Sequence, residues 1–107
     1  MNSQFKKGVL ELVVMIVVSQ QDIYGYELVK QVCEVVQVNE GTIYPLLKRM
    51  TNEKYFETYL KESTEGPPRK YYRITPLGLE AMNQLKYDWL QFSRQINQFI
   101  EGGCDHD

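Results

Sequence analysis

Histidine and cysteine are scarce in this 107-residue sequence, which contains one histidine, His106, and two cysteines, Cys33 and Cys104. Metal sites and nucleophilic catalysis use these residue types at short, regular spacings. His106 instead lies in the last residues of the chain, the cysteines are far apart, and no glycine-rich phosphate loop is present. We therefore expect no metal, no cofactor and no enzymatic activity. The cysteines are expected to be free thiols, although counting alone also allows one disulfide.

Long hydrophobic runs are also lacking. The apolar stretch from Val9 to Val18 is interrupted by Glu11, and it is far shorter than the ~20 residues that a membrane-spanning helix needs. It has no small-residue cleavage site of the kind that ends a secretory signal. A buried core helix is the better interpretation, and we expect a cytoplasmic protein that does not associate with membranes.

Glycine and proline are few and localised, with seven and four residues respectively, so neither long disorder nor an interdomain linker is expected. An excess of positive charge is absent as well, because the formal net charge is −2. This balance argues against a general nucleic-acid coat protein, but not against a DNA reader whose positive charge is local. Three cations within residues 69–73 provide such a local charge, while the tail from Glu101 to Asp107 is acidic.

Hydrophobic periodicity predicts four helices and two strands. The predicted helices cover residues 5–19, 24–36, 40–52 and 76–101, and the predicted strands cover residues 55–62 and 69–75. A turn cluster at residues 63–68 joins the strands into a hairpin, and Thr75 followed by Pro76 is a typical helix start. Asn39 is the expected N-cap of the third helix. Pro45 fits that helix only if the regular helix begins near Thr42, which would place the proline in the first turn.

This order of elements predicts a winged helix-turn-helix fold that is mainly α-helical, with a small β-hairpin as the wing and a long C-terminal helix. In this plan the second helix of the pair enters the major groove of double-stranded DNA, and the hairpin lies over a neighbouring phosphate or the minor groove. We expect residues 1–75 to form the DNA-binding domain, residues 76–101 a dimerisation helix and residues 102–107 a flexible tail.

The candidate DNA contacts are polar and cationic side chains of the third helix and the cations that follow the hairpin turn. Tyr44 and Lys48 lie four residues apart and share one helix face. Hydroxyl, phenol and cationic groups of this kind hydrogen-bond to phosphates and base edges. A solvated helix face and a basic strand edge that discourages aggregation are the structural alternatives. The predicted DNA-binding residues are Thr42, Tyr44, Lys48, Arg49, Arg69, Lys70 and Arg73.

Apolar residues on the last predicted helix recur at a 3-4-3-4-3 spacing, which is the a/d pattern of a coiled coil. The seam is rich in aromatic residues and the rest of the chain is small. Pairing with a second copy is therefore preferred to the alternative, packing against the chain's own first helix. The predicted dimerisation residues are Met82, Leu85, Trp89, Phe92, Ile96 and Phe99.

Trp89, the single tryptophan, lies in the middle of this seam. At a two-fold dimer axis its two copies could sandwich a planar apolar ligand, since stacked aromatic rings attract beyond their area burial. From the spacing alone, a packed core tryptophan is favoured over a ligand-binding one.

Three blocks of the sequence resemble the PadR family of bacterial transcriptional regulators: residues 24–28, 40–50 and 68–78. The resemblance covers about residues 5–100, and the long last helix is similar to the family's short-tailed, multidrug-repressor-like subgroup. It implies a homodimeric winged-helix repressor that a small aromatic or phenolic effector releases from operator DNA. It places Tyr44, Lys48, Arg69 and Lys70 where family members meet DNA. It also places Trp89 where multidrug-type members bind an aromatic ligand, so we expect an effector to contact Leu85, Trp89 and Phe92.

One departure from the family pattern concerns the third helix. Glu40 puts negative charge beside the end of the helix that would enter the groove, and we expect it to weaken phosphate contact there.

A competing interpretation keeps the fold but changes the partner: a winged-helix module that binds a protein and no specific DNA.

Overall fold

The computed structural model describes residues 3–102, with side chains from Gly8 onwards. Its elements, in chain order, are α1 (Ser3–Gln20), β1 (Ile23–Tyr24), α2 (Gly25–Val36), α3 (Glu40–Asn52), β2 (Phe56–Lys61), β3 (Arg69–Ile74) and α4 (Pro76–Ile100). The predicted mainly helical fold with a hairpin and a long last helix is confirmed. Most of the predicted tail, including Cys104 and His106, lies outside the described residues.

The hairpin is part of a three-stranded antiparallel sheet with the order β1-β3-β2. Strand β1 has two residues, and its Ile23 and Tyr24 pair with Tyr72 and Tyr71 of β3. The sequence prediction missed this strand because two residues are too few to show an alternating pattern. The strand exists through its pairing with β3, which is a long-range contact.

Helix α1 supplies much of the hydrophobic core. Leu10, Val14, Met15 and Val18 are each no more than 2% exposed, and burial of such a side chain stabilises the fold by about 1.5–3 kcal/mol. The helix packs against α2, α4 and β3. It therefore connects α2 and the sheet to the long C-terminal helix.

Helix α3 begins at Glu40, so Pro45 lies inside the helix and not in its first turn. The helix has the predicted span of residues 40–52, and it does not have the later start near Thr42 that would have placed Pro45 in the first turn. The missing N–H of Pro45 leaves the carbonyl of Gly41 without its helical partner, and both residues are exposed, so water can hydrogen-bond to that carbonyl. Asn39 occupies the N-cap position without a side-chain cap hydrogen bond to the helix backbone, and its Oδ1 instead accepts a long hydrogen bond of 3.4 Å from Oγ1 of Thr42.

Helix α4 starts on the turn between α3 and β2. Oγ1 of Thr75 accepts a hydrogen bond of 3.0 Å from the Gly78 amide, which confirms the predicted cap, and donates one of 2.6 Å to the carbonyl of Lys54. The Thr75 amide donates to the carbonyl of Tyr55 at 3.0 Å. These bonds fix the direction in which α4 leaves the sheet and the end of α3.

Candidate DNA-binding surface and the groove beside Trp89

Helix α3 divides into a buried face and an exposed face. Ile43, Leu47 and Met50 are each at most 1% exposed and anchor the helix to the core. Thr42, Tyr44 and Lys48 are all exposed on the other side, with 47% of Tyr44 accessible. The predicted recognition helix therefore presents a hydroxyl, a phenol and an ammonium group to solvent.

Arg49 is held by two carboxylates. It forms an ion pair with Glu11 of α1, and its Nη1 lies 3.1 Å from Oε1 of Glu53. Partial burial by itself lowers the pKa of Arg49, but the attraction of Glu11 and the hydrogen bonds to Glu53 and Glu11 outweigh it and raise the pKa. Arg49 thus joins α3 to α1, and it would have to leave these partners to contact DNA as predicted.

The two sheet faces present different residues. On the inner face, which carries Tyr72 into the core, the ammonium of Lys70 lies 5.6 Å from the Tyr72 ring. Burial raises the pKa of Tyr72, and the nearby phenol of Tyr44 raises it further. Tyr72 also packs edge-to-face against Phe56. The structure therefore brings two predicted DNA-binding residues, Tyr44 of α3 and Lys70 of the wing, to the same buried tyrosine.

The outer face of the sheet carries cations above tyrosine rings. Arg69 lies 4.8 Å from the ring centroid of Tyr24, and Lys61 lies 5.1 Å from that of Tyr71. Lys61 is a wing cation that the sequence-based site prediction missed. The signal was available, because antiparallel pairing of the two predicted strands brings Lys61 opposite Arg69.

Arg73 on the same outer face is tied to the turn between α1 and β1. Its Nε and Nη2 lie 3.1 and 2.9 Å from Oδ2 of Asp22, and the hydroxyl of Tyr59 donates to the same oxygen at 2.7 Å. The Tyr59 hydrogen bond, followed by that of Arg73, lowers the pKa of Asp22. The charge of Arg73 is thus balanced within the chain, and its predicted role in DNA contact is weakened accordingly.

Among the described side chains, ion pairs form only at Arg49 and Arg73. The positive charges of Lys48, Lys61, Arg69 and Lys70 are therefore not neutralised by a paired carboxylate. An acidic chain can present a local positive potential in this way. Lys48 lies on α3 and the other three lie on the wing, and these are the two elements that a winged helix applies to DNA.

A groove of about 330 Å³ runs between α1 and α4. It contains all three predicted effector residues, Leu85, Trp89 and Phe92. The sequence prediction missed the wall that α1 contributes and the carboxylate of Asp88. The sequence offered one signal for Asp88, which is its position next to Trp89, and no signal for the contribution of α1. The lining residues are Gly8, Val9, Leu12, Leu85, Asp88, Trp89 and Phe92.

The predicted dimer seam on α4 divides into two parts. Met82 is 6% exposed in the core of its own chain, and Leu85 and Trp89 are partly buried against that core. Met82 is therefore not available to a second copy, which removes it from the seam. Phe92 and Phe99 are 54% and 66% exposed. Packing against the chain's own first helix, the competing interpretation, thus holds for the first half of α4.

The model of the transcriptional regulator PadR-like family matches residues 14–84. This range includes α2, α3, the whole sheet and the start of α4, which are the elements that form the surface described above. The chain belongs to the PadR-like family of transcriptional regulators. A solved PadR-like transcriptional regulator from Bacillus cereus is 45% identical, with a TM-score of 0.84 over 94% of this chain and 99% of that one.

Two further similar proteins match nearly the whole of this chain. A solved Streptococcus transcriptional regulator is 32% identical with a TM-score of 0.82, over 92% of this chain and 98% of that one. An uncharacterized protein of Lysinibacillus sphaericus is 30% identical over 104 residues, which are 94% of this chain and 95% of that protein. The similarity thus extends to the helix that the family model covers only in part.

This PadR-like chain is a winged-helix DNA-binding transcriptional regulator and not an enzyme, as the sequence predicts. Within residues 3–102, no group of three or more histidine, cysteine, aspartate or glutamate side chains could hold a metal ion. No helix in the same part of the chain combines the length and the hydropathy needed to cross a membrane.

Proposed function

We propose that this PadR-like regulator is a homodimeric repressor in the cytoplasm, and that a planar aromatic molecule bound beside Trp89 releases it from operator DNA. The observation that carries the proposal is the groove between α1 and α4, which continues into exposed apolar side chains farther along α4. One part of the helix thus offers a ligand site and the next part offers a docking surface.

The exposed end of α4 supports the dimer. Phe92, Ile96 and Phe99 follow the a/d spacing and are 54%, 40% and 66% exposed. Contiguous apolar patches on small proteins mark interaction surfaces, and an a/d seam is specific for another helix. A second copy of α4 would bury this seam and would bring the two Trp89 grooves close to the dimer axis.

The shape and chemistry of the groove support a flat aromatic ligand. Its volume of about 330 Å³ lies within the ~300–1,000 Å³ range of small-molecule sites. Trp89 and Phe92 provide rings for stacking, and the carboxylate of Asp88 can accept a hydrogen bond from a phenol or an amine. An anionic effector would be repelled by Asp88, so we infer a neutral or cationic one.

Helix α1 offers a path from the groove to the recognition helix. Gly8 and Leu12 line the groove, while Glu11 on the same helix holds Arg49 of α3. A ligand that displaces α1 would therefore displace α3. In a dimer the two recognition helices must match half-sites about 34 Å apart or a multiple of it, so a small displacement weakens DNA binding. Linkage then requires that operator DNA weaken ligand binding equally.

The test is a titration of the protein onto duplex DNA from its own upstream promoter, followed by fluorescence anisotropy at two salt concentrations. Tighter binding to this duplex than to a scrambled one, with a fall at higher salt, is expected of a sequence-specific reader. Flat aromatic compounds are then added while the emission of Trp89, the single tryptophan, is recorded. A compound that quenches Trp89 and also releases DNA supports the proposal.

The competing protein-binding module makes opposite predictions. Replacing Lys48, Arg69 and Lys70 together with glutamine should abolish promoter binding if the chain is a DNA-dependent repressor. The same replacement should leave partner binding intact if the chain is a protein-binding module. If promoter binding is weak and indifferent to sequence, or if quenching of Trp89 leaves DNA affinity unchanged, the repressor mechanism fails.

A further inference from the structure

Three tyrosines, one from each strand, lie side by side on the outer face of the sheet. The register pairs Tyr24 of β1 with Tyr71 of β3, and pairs Tyr59 of β2 with the same Tyr71. The ring centroids of Tyr24 and Tyr71 are 6.0 Å apart, and those of Tyr59 and Tyr71 are 5.7 Å apart and stacked. We call Tyr24, Tyr71 and Tyr59 the tyrosine row. Its rings form a continuous, half-buried aromatic surface.

Two cations on this surface face each other across the strands. Lys61 and Arg69 are register partners in β2 and β3, and like charges directly opposite one another destabilise an antiparallel pair. Lys61 lies over Tyr71 and Arg69 lies over Tyr24, so attraction to the ring faces offsets part of the repulsion. The tyrosine row thus holds two mutually repelling cations in place.

No ion pair neutralises this pair of cations among the described side chains. Arg73, which lies 4.9 Å from the Tyr59 ring on the same face, is different because Asp22 balances its charge. The outer face therefore carries one compensated cation near the base of the wing and two uncompensated cations near its tip. An anion placed between Lys61 and Arg69 would turn their repulsion into shared attraction.

Given that the wing binds DNA, we propose that Lys61 and Arg69 together bind one phosphate of the DNA backbone, and that the tyrosine row positions them. Arginine offers a planar fork of donors to a phosphate, and lysine adds a compact charge. Side chains already held over rings lose less freedom on binding. This contact lies on the opposite face of the sheet from Lys70, so the wing meets the DNA backbone with both faces.

The first experiment compares wild-type protein, Lys61→Gln and the control Lys86→Gln, an exposed lysine on α4. Fluorescence anisotropy measures the affinity for a mixed-sequence duplex over a series of salt concentrations. The slope of log affinity against log salt concentration, here called the salt slope, reports the number of phosphate contacts and does not require that the operator be known. We expect Lys61→Gln to bind severalfold more weakly and to reduce the salt slope by about 1, while Lys86→Gln keeps the wild-type slope. The unfolding temperature of Lys61→Gln should rise, because the repulsion is relieved.

The second experiment tests the positioning role at Tyr71, whose hydroxyl makes no hydrogen bond to a described residue. Tyr71→Phe keeps the ring and should bind as the wild type does. Tyr71→Ile keeps a strand-forming apolar side chain without the ring, and it should lose affinity severalfold with a shallower salt slope. A purely structural role for the ring would lower the unfolding temperature and leave the slope unchanged.

The outcomes separate this proposal from DNA binding itself. If wild-type protein binds no duplex, the proposal that this regulator binds DNA is refuted, and the proposed phosphate contact is refuted with it. If the wild type binds but Lys61→Gln keeps its salt slope, only the phosphate contact is overturned. If single-stranded DNA is preferred to duplex and Tyr71→Ile abolishes that preference, the tyrosine row stacks on bases, which also overturns the proposal.

Discussion

The backbone carbonyl of Tyr55 lies against Gly78, where a Cβ would be only 2.2 Å from the carbonyl oxygen. Because that neighbour is backbone, it cannot move aside as a flexible side chain would. We expect Gly78→Ala to lower the free energy of unfolding by about 3 kcal/mol, the upper end for overpacking, as measured by urea denaturation. Gly8→Ala is the matched control, since nothing lies within 4 Å of its added Cβ, and it should raise stability by up to about 1 kcal/mol. Similar effects of the two substitutions would contradict the close approach at Gly78.

Asp22 should make the stability of the wing depend on pH. Its pKa is lowered by the hydrogen bond from Tyr59 and then by that from Arg73. The contribution of ionised Asp22 to the free energy of unfolding is therefore present above the unfolded pKa of about 3.9, and it is lost as pH falls through the folded pKa. We expect Asp22→Asn to lower the melting temperature slightly at neutral pH, since the group is partly exposed, and this deficit to shrink in acid. Asp88→Asn, which removes no ion pair among the described residues, is the control for the loss of one carboxylate charge. A deficit of Asp22→Asn that persists at low pH would refute the assignment.

Glu11 should carry the effector signal from α1 to the recognition helix. Glu11→Gln breaks the ion pair that joins Arg49 to α1, so we expect an effector to bind beside Trp89 but to release DNA severalfold less well. Glu53→Gln removes the other carboxylate partner of Arg49, which lies at the end of α3 itself, and should leave release intact. The measurement is promoter affinity with and without effector in each variant. Equal release in wild type and Glu11→Gln would exclude this path.

The exposed end of α4 should hold the dimer together. Ile96→Glu places a charge in the apolar seam and is expected to convert the dimer into a monomer and to weaken promoter binding. Gln98→Glu adds the same charge to an exposed position outside the a/d spacing and should leave the dimer intact. Sedimentation equilibrium reports both outcomes. A wild-type protein that is monomeric at all concentrations would remove the basis for this expectation.

The helices could be predicted from the sequence because each buries a periodic apolar face. Their starts are also marked by capping residues: Thr75 and Pro76 predict the start of α4, and the structure begins the helix at Pro76. Pro45 shows a limit of prediction from the sequence, which did not settle whether the helix runs through the proline. Helix α3 does so, because water can hydrogen-bond to the carbonyl of Gly41 that lacks its helical partner. Strand β1 could not be predicted, since two residues carry no pattern of their own.

The sequence was enough to predict most residues of the candidate site, but not the carboxylates with which they pair. The basic cluster at residues 69–73 marks the wing, yet the sequence does not reveal that Asp22, fifty-one residues before Arg73, accepts its hydrogen bonds. Arg49 likewise pairs with Glu11 of α1, which is thirty-eight residues away in the sequence. The a/d spacing on α4 continues without a break, while burial divides it at Trp89, because α1 covers only the first half of the helix.

The attachment of α4 to the turn that ends the recognition helix gives the proposed dimer a mechanical property. Helix α4 has 25 residues, which at ~1.5 Å per residue makes a rigid arm of about 37 Å. If its far end is held against a second copy, a tilt of about 5° at the Thr75 end shifts the DNA-binding elements by about 3 Å over an arm of that length. The long helix therefore acts as a lever whose pivot is the dimer seam. A change no larger than a side chain in the groove beside Trp89 is then enough to spoil the fit of two recognition helices to one stretch of DNA.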